Sequence, residues 1–188
     1  GTIASFNVAS DFVKNKSVCF VLGDNFFDGE QFDEEFKKAI NNPKGAYVFG
    51  YPVKNPSAFG VAKFDEFGNV TQLIEKPQNP PSNMAITGLY VYDEKICEMA
   101  QNCPLSIRGE YETTDVNNMY LKMGELKLVK LKKQNYWLDA GTSEGLFRAS
   151  EYVHKKIKKT QKQIGHLDEI CYLCGLISKE QLRQNYEK

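Results

Sequence analysis

The sequence has no long hydrophobic run, no excess of one charge and almost no histidine. No apolar stretch approaches the roughly 18 consecutive residues that indicate a membrane span, so we expect no membrane partner. The 24 basic and 24 acidic side chains give a formal net charge of zero, which argues against a nucleic-acid-binding protein driven by bulk charge. Residues 1–10 lack the basic head and long apolar core of a signal peptide, so we expect a cytoplasmic protein.

Residues typical of metal and redox sites are also sparse. The two histidines, His154 and His166, lack the spacing of a zinc site, and the five cysteines form an odd set. Cys171 and Cys174 stand in a C-x-x-C pair, which for zinc would need a second pair of ligands nearby. We interpret the cysteines as buried free thiols of a reducing compartment, with metal or redox chemistry at the C-x-x-C pair as the alternative.

What the sequence does contain is an alternation of strand and helix patterns over one domain's length. A short helix is predicted over residues 4–14. The apolar runs at 17–22 and 46–53 predict strands buried on both faces. Residues 23–29 are predicted as a loop, and helical spacing at 31–40 predicts a helix between the two strands. Strand, helix and strand in this order predict a right-handed parallel crossover.

The rest of the chain continues this alternation. Further elements are predicted as a hairpin around Glu66–Gly68, a strand at 86–93, helices at 93–101 and 113–124, and strands at 125–133 and 135–141. A helix at 143–161 follows, and then two short helices joined at Gly175 over 167–184. The lysine run from Lys155 to Lys162 is interpreted as a solvated helix surface rather than an anion site.

Two aspartates follow apolar strand patterns. Asp24 comes after VCFVLG and Asp139 after NYWL. Ligands of open parallel sheets bind beyond the carboxyl ends of the strands, and two such carboxylates brought together could hold one Mg²⁺ with phosphate oxygens completing its shell. Spacing alone favours a plainer alternative, in which Asp24 is a turn residue and Asp139 caps a helix.

Several other residues have both a functional and a plain interpretation. The lysine of Glu75–Pro77 could meet a phosphate at a strand end, although an edge-strand lysine is the commoner meaning. Gly60 and Gly88 stand inside strand patterns and suggest a bulge or the close approach of a ligand. The charged stretch 108–115 leads into a helix and is typical of a salt bridge and a cap.

Six segments together resemble one family. VLGDN, FGV, IEKP, ITGLYVYD, RGEYETTD and YWLDAGT, in this order and at these separations, resemble the sugar-1-phosphate nucleotidyltransferases, and most closely the glucose-1-phosphate thymidylyltransferases. The resemblance implies a three-layer, Rossmann-like α/β domain with a mixed sheet over residues 1–188. It also implies a small β-hairpin region and C-terminal helices over 142–188.

The resemblance further implies an activity and its partners. Family members join a sugar 1-phosphate, glucose by default, to a nucleoside triphosphate such as dTTP, and they release pyrophosphate with the help of Mg²⁺. For the thymidylyltransferases this reaction belongs to the dTDP-rhamnose pathway. The resemblance also implies a homo-oligomer.

By position, the resemblance assigns catalytic roles to four residues. Asp24 and Asp139 match the two metal-binding aspartates, Lys76 matches the lysine that holds the sugar phosphate, and Arg108 matches an arginine near the phosphate. The substrate-binding residues are Lys76 again together with Gly60, Glu75, Ile86, Thr87, Gly88 and Tyr90.

The sequence departs from the family at its start. The family begins with a strand and a Gly-rich loop of the type GGxGTRLxPxT, whose amides hold the triphosphate, and neither is found here. The first residues, GTIASF, fall where the family has a segment like GLAQAF, with Ala4 in place of its glutamine, and Ala140 turns the family's DTGT into DAGT. We therefore expect an N-terminally truncated domain that keeps the sugar-phosphate half. The alternatives are a short relative that binds without catalysis, or a chain completed by a partner at an open sheet edge.

Overall fold

Within residues 1–41 and 43–187, which the computed structural model describes, the chain forms eight strands and eight α-helices. Residues 1–141 form unit 1 and residues 142–188 form unit 2. The strands of unit 1 are β1 (Val18–Val21), β2 (Asn25–Asp28), β3 (Ala46–Pro52), β4 (Gly60–Phe64), β5 (Val70–Glu75), β6 (Met84–Tyr92), β7 (Leu126–Lys130) and β8 (Tyr136–Asp139). Its helices are α1 (Ala4–Val8), α2 (Ser10–Val13), α3 (Glu30–Asn41), α4 (Ile96–Gln101) and α5 (Thr113–Lys122). Unit 2 contains α6 (Ser143–Thr160), α7 (Leu167–Leu173) and α8 (Lys179–Tyr186).

The main sheet is mixed, with strand order β5-β4-β6-β3-β7 and with β1 also pairing to β6. β3 and β7 pair in parallel, and the other pairs of this sheet are antiparallel. β1 and β3 are therefore parallel to each other, as the predicted crossover requires, but β6 lies between them. Nine residues long and almost entirely buried, β6 pairs on both of its edges.

Alternate residues of β6 build two cores on opposite faces of the sheet. Tyr90 and Tyr92 face a core shared with α1, α4 and α5, in which the Phe6 ring meets Tyr92 edge-on at 5.9 Å. Leu89 and Val91 face the other core, which α3 covers. The rings that α3 contributes to this second core are Phe32 and Phe36, both packed on Phe49. The predicted three-layer α/β architecture is confirmed.

Strand β1 is present as predicted, but the prediction that it is buried on both faces is wrong. Cys19 is exposed and Val21 is 52 % exposed. Phe20 is half-buried against Phe6 and Tyr90. Among the described residues β1 pairs only with β6, and the core under α3 does not extend to Val21.

The helices of unit 2 bury no described residue, and two of them, α6 and α8, have side-chain N-caps. The Thr142 hydroxyl accepts a hydrogen bond from Gly145 N at 3.0 Å, and Ser178 and Gln181 form a capping box at α8. Lys155 is exposed and pairs with Glu151, which agrees with a solvated face. No helix within residues 1–41 and 43–187 is both long and apolar enough to cross a membrane.

Asp115 occupies the first turn of α5, yet one of its carboxylate oxygens is buried without a hydrogen-bond partner. Burial, and secondarily the charge of Glu112, raises the pKa of Asp115 above its usual value. Because the folded pKa exceeds the unfolded one, this carboxyl favours folding most when protonated, and its contribution falls as pH rises through and above the usual aspartate range.

We therefore expect Asp115→Asn to raise the free energy of unfolding at pH 7, and the gain should shrink as the pH is lowered toward 4. Urea unfolding at both pH values measures this difference. Asp11→Asn, on exposed α2, is the matched control, and it should have the same small effect on stability at both pH values. A loss of stability in Asp115→Asn at pH 7 would contradict the expectation.

Candidate active site

One open cleft of about 250 Å³ in unit 1 collects nine of the ten predicted site residues. This is just below the range of about 300–1,000 Å³ typical of small-molecule pockets, so the cleft suits a compact ligand. The nine residues are Asp24, Gly60, Glu75, Lys76, Ile86, Gly88, Tyr90, Arg108 and Asp139. The exception is Thr87, whose fully buried side chain does not line the cleft and whose hydroxyl oxygen has no hydrogen-bond partner.

Asp24 and Asp139 are brought together by a strand that was predicted as a loop. Asn25–Asp28 is the strand β2, and it pairs antiparallel with β8 so that Asn25 lies opposite Asp139. The Ala140 amide donates to the Asp24 carbonyl oxygen at 2.7 Å, which extends this ribbon by one bond. The loop prediction for 23–29 is wrong because pairing with a distant segment, rather than local sequence, makes β2 a strand. Asp24 does lie in a turn, but the residue that caps α6 is Thr142, not Asp139.

The two carboxylates converge on Gly141. A Cβ atom on this residue would lie 2.9 Å from Asp24 Oδ2 and 3.0 Å from Asp139 Oδ1, so glycine keeps the space between them open. The Gly141 amide donates to Asp139 Oδ1 at 2.8 Å. Across residues 1–41 and 43–187, no lysine or arginine forms an ion pair with either carboxylate.

Two hard oxygen donors with open space between them fit Mg²⁺, which proteins commonly bind through one or two carboxylates plus substrate phosphates. In the part of the chain that the structure describes, no group of three or more His, Cys, Asp or Glu side chains is arranged to hold a metal. A cation at this pair would therefore take its remaining ligands from phosphate and water.

Asn25, which the sequence interpretation gave no role, connects the carboxylate pair to the main sheet. Its Nδ2 donates to Asp24 Oδ1 at 2.8 Å, while its Oδ1 accepts from Gly88 N at 2.8 Å and from Trp137 Nε1 at 2.6 Å. A Cβ on Gly88 would lie 2.6 Å from Asn25 Nδ2. The close approach predicted at Gly88 is therefore made by a side chain of the protein itself.

We expect Asn25→Ala to weaken Mg²⁺-dependent ligand binding in the cleft by about 10–100-fold, the usual effect of losing a group that orients a metal ligand. The substitution frees the Asp24 carboxylate to rotate and leaves the Trp137 indole N–H without its acceptor. Trp137 is the single tryptophan of the chain and lines the cleft, so its fluorescence reports the loss of the acceptor and also provides the signal for ligand binding. Unchanged affinity together with changed Trp137 emission would show that Asn25 supports the indole but not Asp24.

Arg108 lies among three glutamates rather than alone. Its Nη1 is 3.6 Å from Glu75 Oε1 and 3.5 Å from Glu112 Oε1, and its Nη2 is 3.9 Å from Glu110 Oε1. The expected salt bridge is present, but the expected cap is not, because no side chain caps the N-terminus of α5. Glu75 is further fixed by a hydrogen bond of 2.5 Å from the Thr114 hydroxyl.

Lys76 is the cation of the cleft that has no ion pair among the described residues. It follows β5 rather than lying in it, and its φ of 40° places it in the left-handed region. A non-glycine residue in a sparsely populated backbone region costs about 1–3 kcal/mol, and such residues cluster at ligand sites. Lys76 is exposed and lines the cleft, so its ammonium is available to an anion.

Tyr90 forms a buried, neutral wall of the cleft. Burial raises the pKa of its phenol well above the usual range, and the charge of Glu75 adds to the effect. The hydroxyl therefore keeps its proton. It is hydrogen-bonded to the Thr113 side chain, and when it accepts from Thr113 it can donate to a ligand oxygen.

Comparison with known proteins identifies the same family that the six sequence segments resemble. The family described as nucleotidyl transferase matches residues 1–156. A glucose-1-phosphate thymidylyltransferase of Neisseria meningitidis serogroup A is 41 % identical over 184 residues, which cover 98 % of this chain and 64 % of that protein. One from Mycobacterium tuberculosis is 37 % identical with the same coverage. The chain thus spans a little under two thirds of the length of these relatives.

Solved structures of similar proteins share the fold of this chain. A Bacillus anthracis protein, described as a glucose-1-phosphate thymidylyltransferase and solved with sucrose, matches with a TM-score of 0.71 and 36 % identity over 81 % of this chain and 60 % of that one. UDP-glucose pyrophosphorylase complexed with UDP-glucose matches with a TM-score of 0.69 over 83 % of this chain and 63 % of that one, and at 22 % identity this supports the fold alone.

Proposed function

This chain belongs to the nucleotidyl transferase family, and we propose that its cleft binds a sugar 1-phosphate for nucleotidyl transfer with Mg²⁺ held between Asp24 and Asp139. The observation that carries the proposal is the convergence of these two carboxylates on the open space at Gly141. The names of the relatives support glucose 1-phosphate and dTTP as substrates, with dTDP-glucose and pyrophosphate as products.

The charges that line the cleft support a cation-dependent reaction. Two basic side chains, Lys76 and Arg108, face five acidic ones. The acidic residues are Asp24, Glu75, Glu110, Glu112 and Asp139. Because Arg108 is already paired with glutamates, the cleft repels a phosphate unless a cation offsets the Asp24 and Asp139 charges. Asp24 and Asp139 would hold Mg²⁺ here, and the ion would supply that neutralisation when bound.

The remaining chemistry is positioning. In this proposal the sugar phosphate attacks the α-phosphorus of the triphosphate in line, and pyrophosphate leaves. Lys76 holds the sugar phosphate as a point charge. Glu75, fixed by Thr114, accepts hydrogen bonds from sugar hydroxyls, and Tyr90 donates one. No covalent intermediate on the protein is needed, because alignment and preorganised charge lower the barrier.

We place this activity in the cytoplasm, within dTDP-rhamnose synthesis, and in a homo-oligomer. A second candidate function is sugar-phosphate binding without catalysis. It is supported by the same cleft, where Asp24, Lys76 and Asp139 provide the charges that a cation and a sugar phosphate need for binding.

Two measurements on the same preparations separate these functions. Trp137 lines the cleft, so its fluorescence reports glucose 1-phosphate binding with and without Mg²⁺. Pyrophosphate release from dTTP, glucose 1-phosphate and Mg²⁺ reports turnover, with Asp24→Asn as the control. Release above the control supports catalysis, and Mg²⁺-dependent binding without release supports the binding function. The absence of both would overturn the proposed function.

A further inference from the structure

Unit 2 carries a pair of cysteines for which the proposed function has no use. Cys171 lies in the last turn of α7 and is half-buried, and Cys174 is the C-cap residue and is exposed. They stand three residues apart in a helical turn, so their side chains lie on the same face. Neither is in a disulfide.

The turn that holds both cysteines is closed by two hydrogen bonds. Leu176 N donates to the Cys171 carbonyl oxygen at 2.8 Å, and Gly175 N donates to the Tyr172 carbonyl oxygen at 3.0 Å. With Gly175 at a φ of 71°, this is a Schellman motif. A third bond, from Cys174 N to the Ile170 carbonyl oxygen at 2.9 Å, holds Cys174 in near-helical geometry.

Helix geometry brings the pair close to the requirements of a disulfide. Cα atoms three residues apart in a helix are about 5 Å apart, inside the range of about 4.4–6.8 Å found in disulfides. Their Cβ atoms, at about 5–6 Å, must close to about 3.5–4.5 Å. Only a small movement is needed, and it falls on a helix end, where local opening costs least.

We propose that Cys171 and Cys174 form a reversible intramolecular disulfide that opens the Schellman closure of α7. The oxidant is a low-molecular-weight disulfide such as oxidised glutathione. The exposed Cys174 thiolate attacks it, forming a mixed disulfide and releasing one thiol. The Cys171 thiolate then attacks Cys174 Sγ and releases the second thiol. The two cysteines lose two protons and two electrons in total, and the oxidant becomes two thiols.

The same geometry makes this disulfide easily reduced rather than structural. Closing the Cβ atoms pulls Cys174 toward Cys171 and displaces the carbonyl to which Leu176 donates. Disulfides formed against such strain, at an exposed position, are the easily reduced ones. Oxidation therefore forms the disulfide and breaks the hydrogen bond from Leu176 N that closes the last turn of α7. Reduction by thiols restores that hydrogen bond.

The sequence makes the product easy to identify. Tryptic cleavage after Lys162 and after Lys179 leaves both cysteines in one peptide. After exposure to oxidised glutathione and alkylation of the remaining thiols, we expect this peptide to be two hydrogens lighter than its reduced form and free of glutathione. Cys174→Ser should instead give a glutathione adduct on Cys171 or no reaction. Cys19→Ser, which removes an exposed thiol outside the pair, should leave the crosslink unchanged.

Amide hydrogen exchange tests the structural consequence independently. We expect the Leu176 and Cys174 amides to exchange about tenfold faster after oxidation, as for the loss of one hydrogen bond, and to recover with reduced glutathione. Glutathione adducts at both cysteines, or alkylation of the two thiols independently of each other, would overturn the proposal. A crosslink that leaves the Leu176 amide as protected as before would overturn it too.

Discussion

Asp139→Asn is expected to abolish the Mg²⁺ dependence of glucose 1-phosphate binding, with affinity in Mg²⁺ reduced about 100-fold or more. Removing a group that merely orients a metal ligand already costs about 10–100-fold in affinity, and this substitution removes one of the two anionic ligands of the proposed site outright. The amide keeps the size of the carboxyl group, and its oxygen can still accept the Gly141 N–H bond.

The Asp139→Asn substitution should weaken binding of the sugar phosphate without lowering the stability of the fold. Asp24 and Asp139 point at the same space without a cation paired to either among the described residues, so neutralising one relieves repulsion. The melting temperature of Asp139→Asn should therefore match or slightly exceed that of the wild type, and added Mg²⁺ should raise only the wild-type value.

Titrations of Trp137 fluorescence with glucose 1-phosphate, at zero and millimolar Mg²⁺, measure this result. Asp24→Asn should behave like Asp139→Asn, whereas Asp11→Asn, on exposed α2, should bind like the wild type. If Asp139→Asn bound the sugar phosphate more tightly than the wild type and without Mg²⁺, the pair would be a source of repulsion and not a metal site.

The largest stability effect is expected for Asp93→Ala, at about 3–5 kcal/mol in the free energy of unfolding. Asp93 is only 4 % exposed at the end of β6. Its carboxylate accepts hydrogen bonds from Gly45 N at 2.9 Å, Lys95 N at 3.1 Å and the Tyr120 hydroxyl at 2.9 Å. Alanine would leave the buried Gly45 and Tyr120 donors without an acceptor, which costs more than the bonds themselves contribute.

Urea unfolding compares Asp93→Ala with Glu94→Ala, its exposed neighbour in sequence. The control should change stability by no more than about 0.5 kcal/mol. Tyr120→Phe removes one of the three donors and should cost about 1 kcal/mol. A loss below about 1 kcal/mol in Asp93→Ala would mean that water reaches and satisfies these donors.

The elements of the fold were predictable where local pattern and tertiary environment agree. The apolar run of β6 and the helical spacing of Phe32 and Phe36 in α3 describe burial that the structure confirms. The prediction failed where an equally apolar run, at β1, is covered on one face only. An apolar run indicates a strand but does not say which neighbours cover it.

Six short segments at fixed separations were enough to identify the family, and the resemblance supplied ten site residues, nine of which line the cleft. Most strands and helices followed from local pattern, but β2 did not. That Asn25 holds Asp24 and that Arg108 is paired with three glutamates could be seen only in the folded chain. Asn25 and Trp137 are 112 residues apart. Contacts at such separations depend on how the sheets assemble, and local propensity carries no information about that pairing.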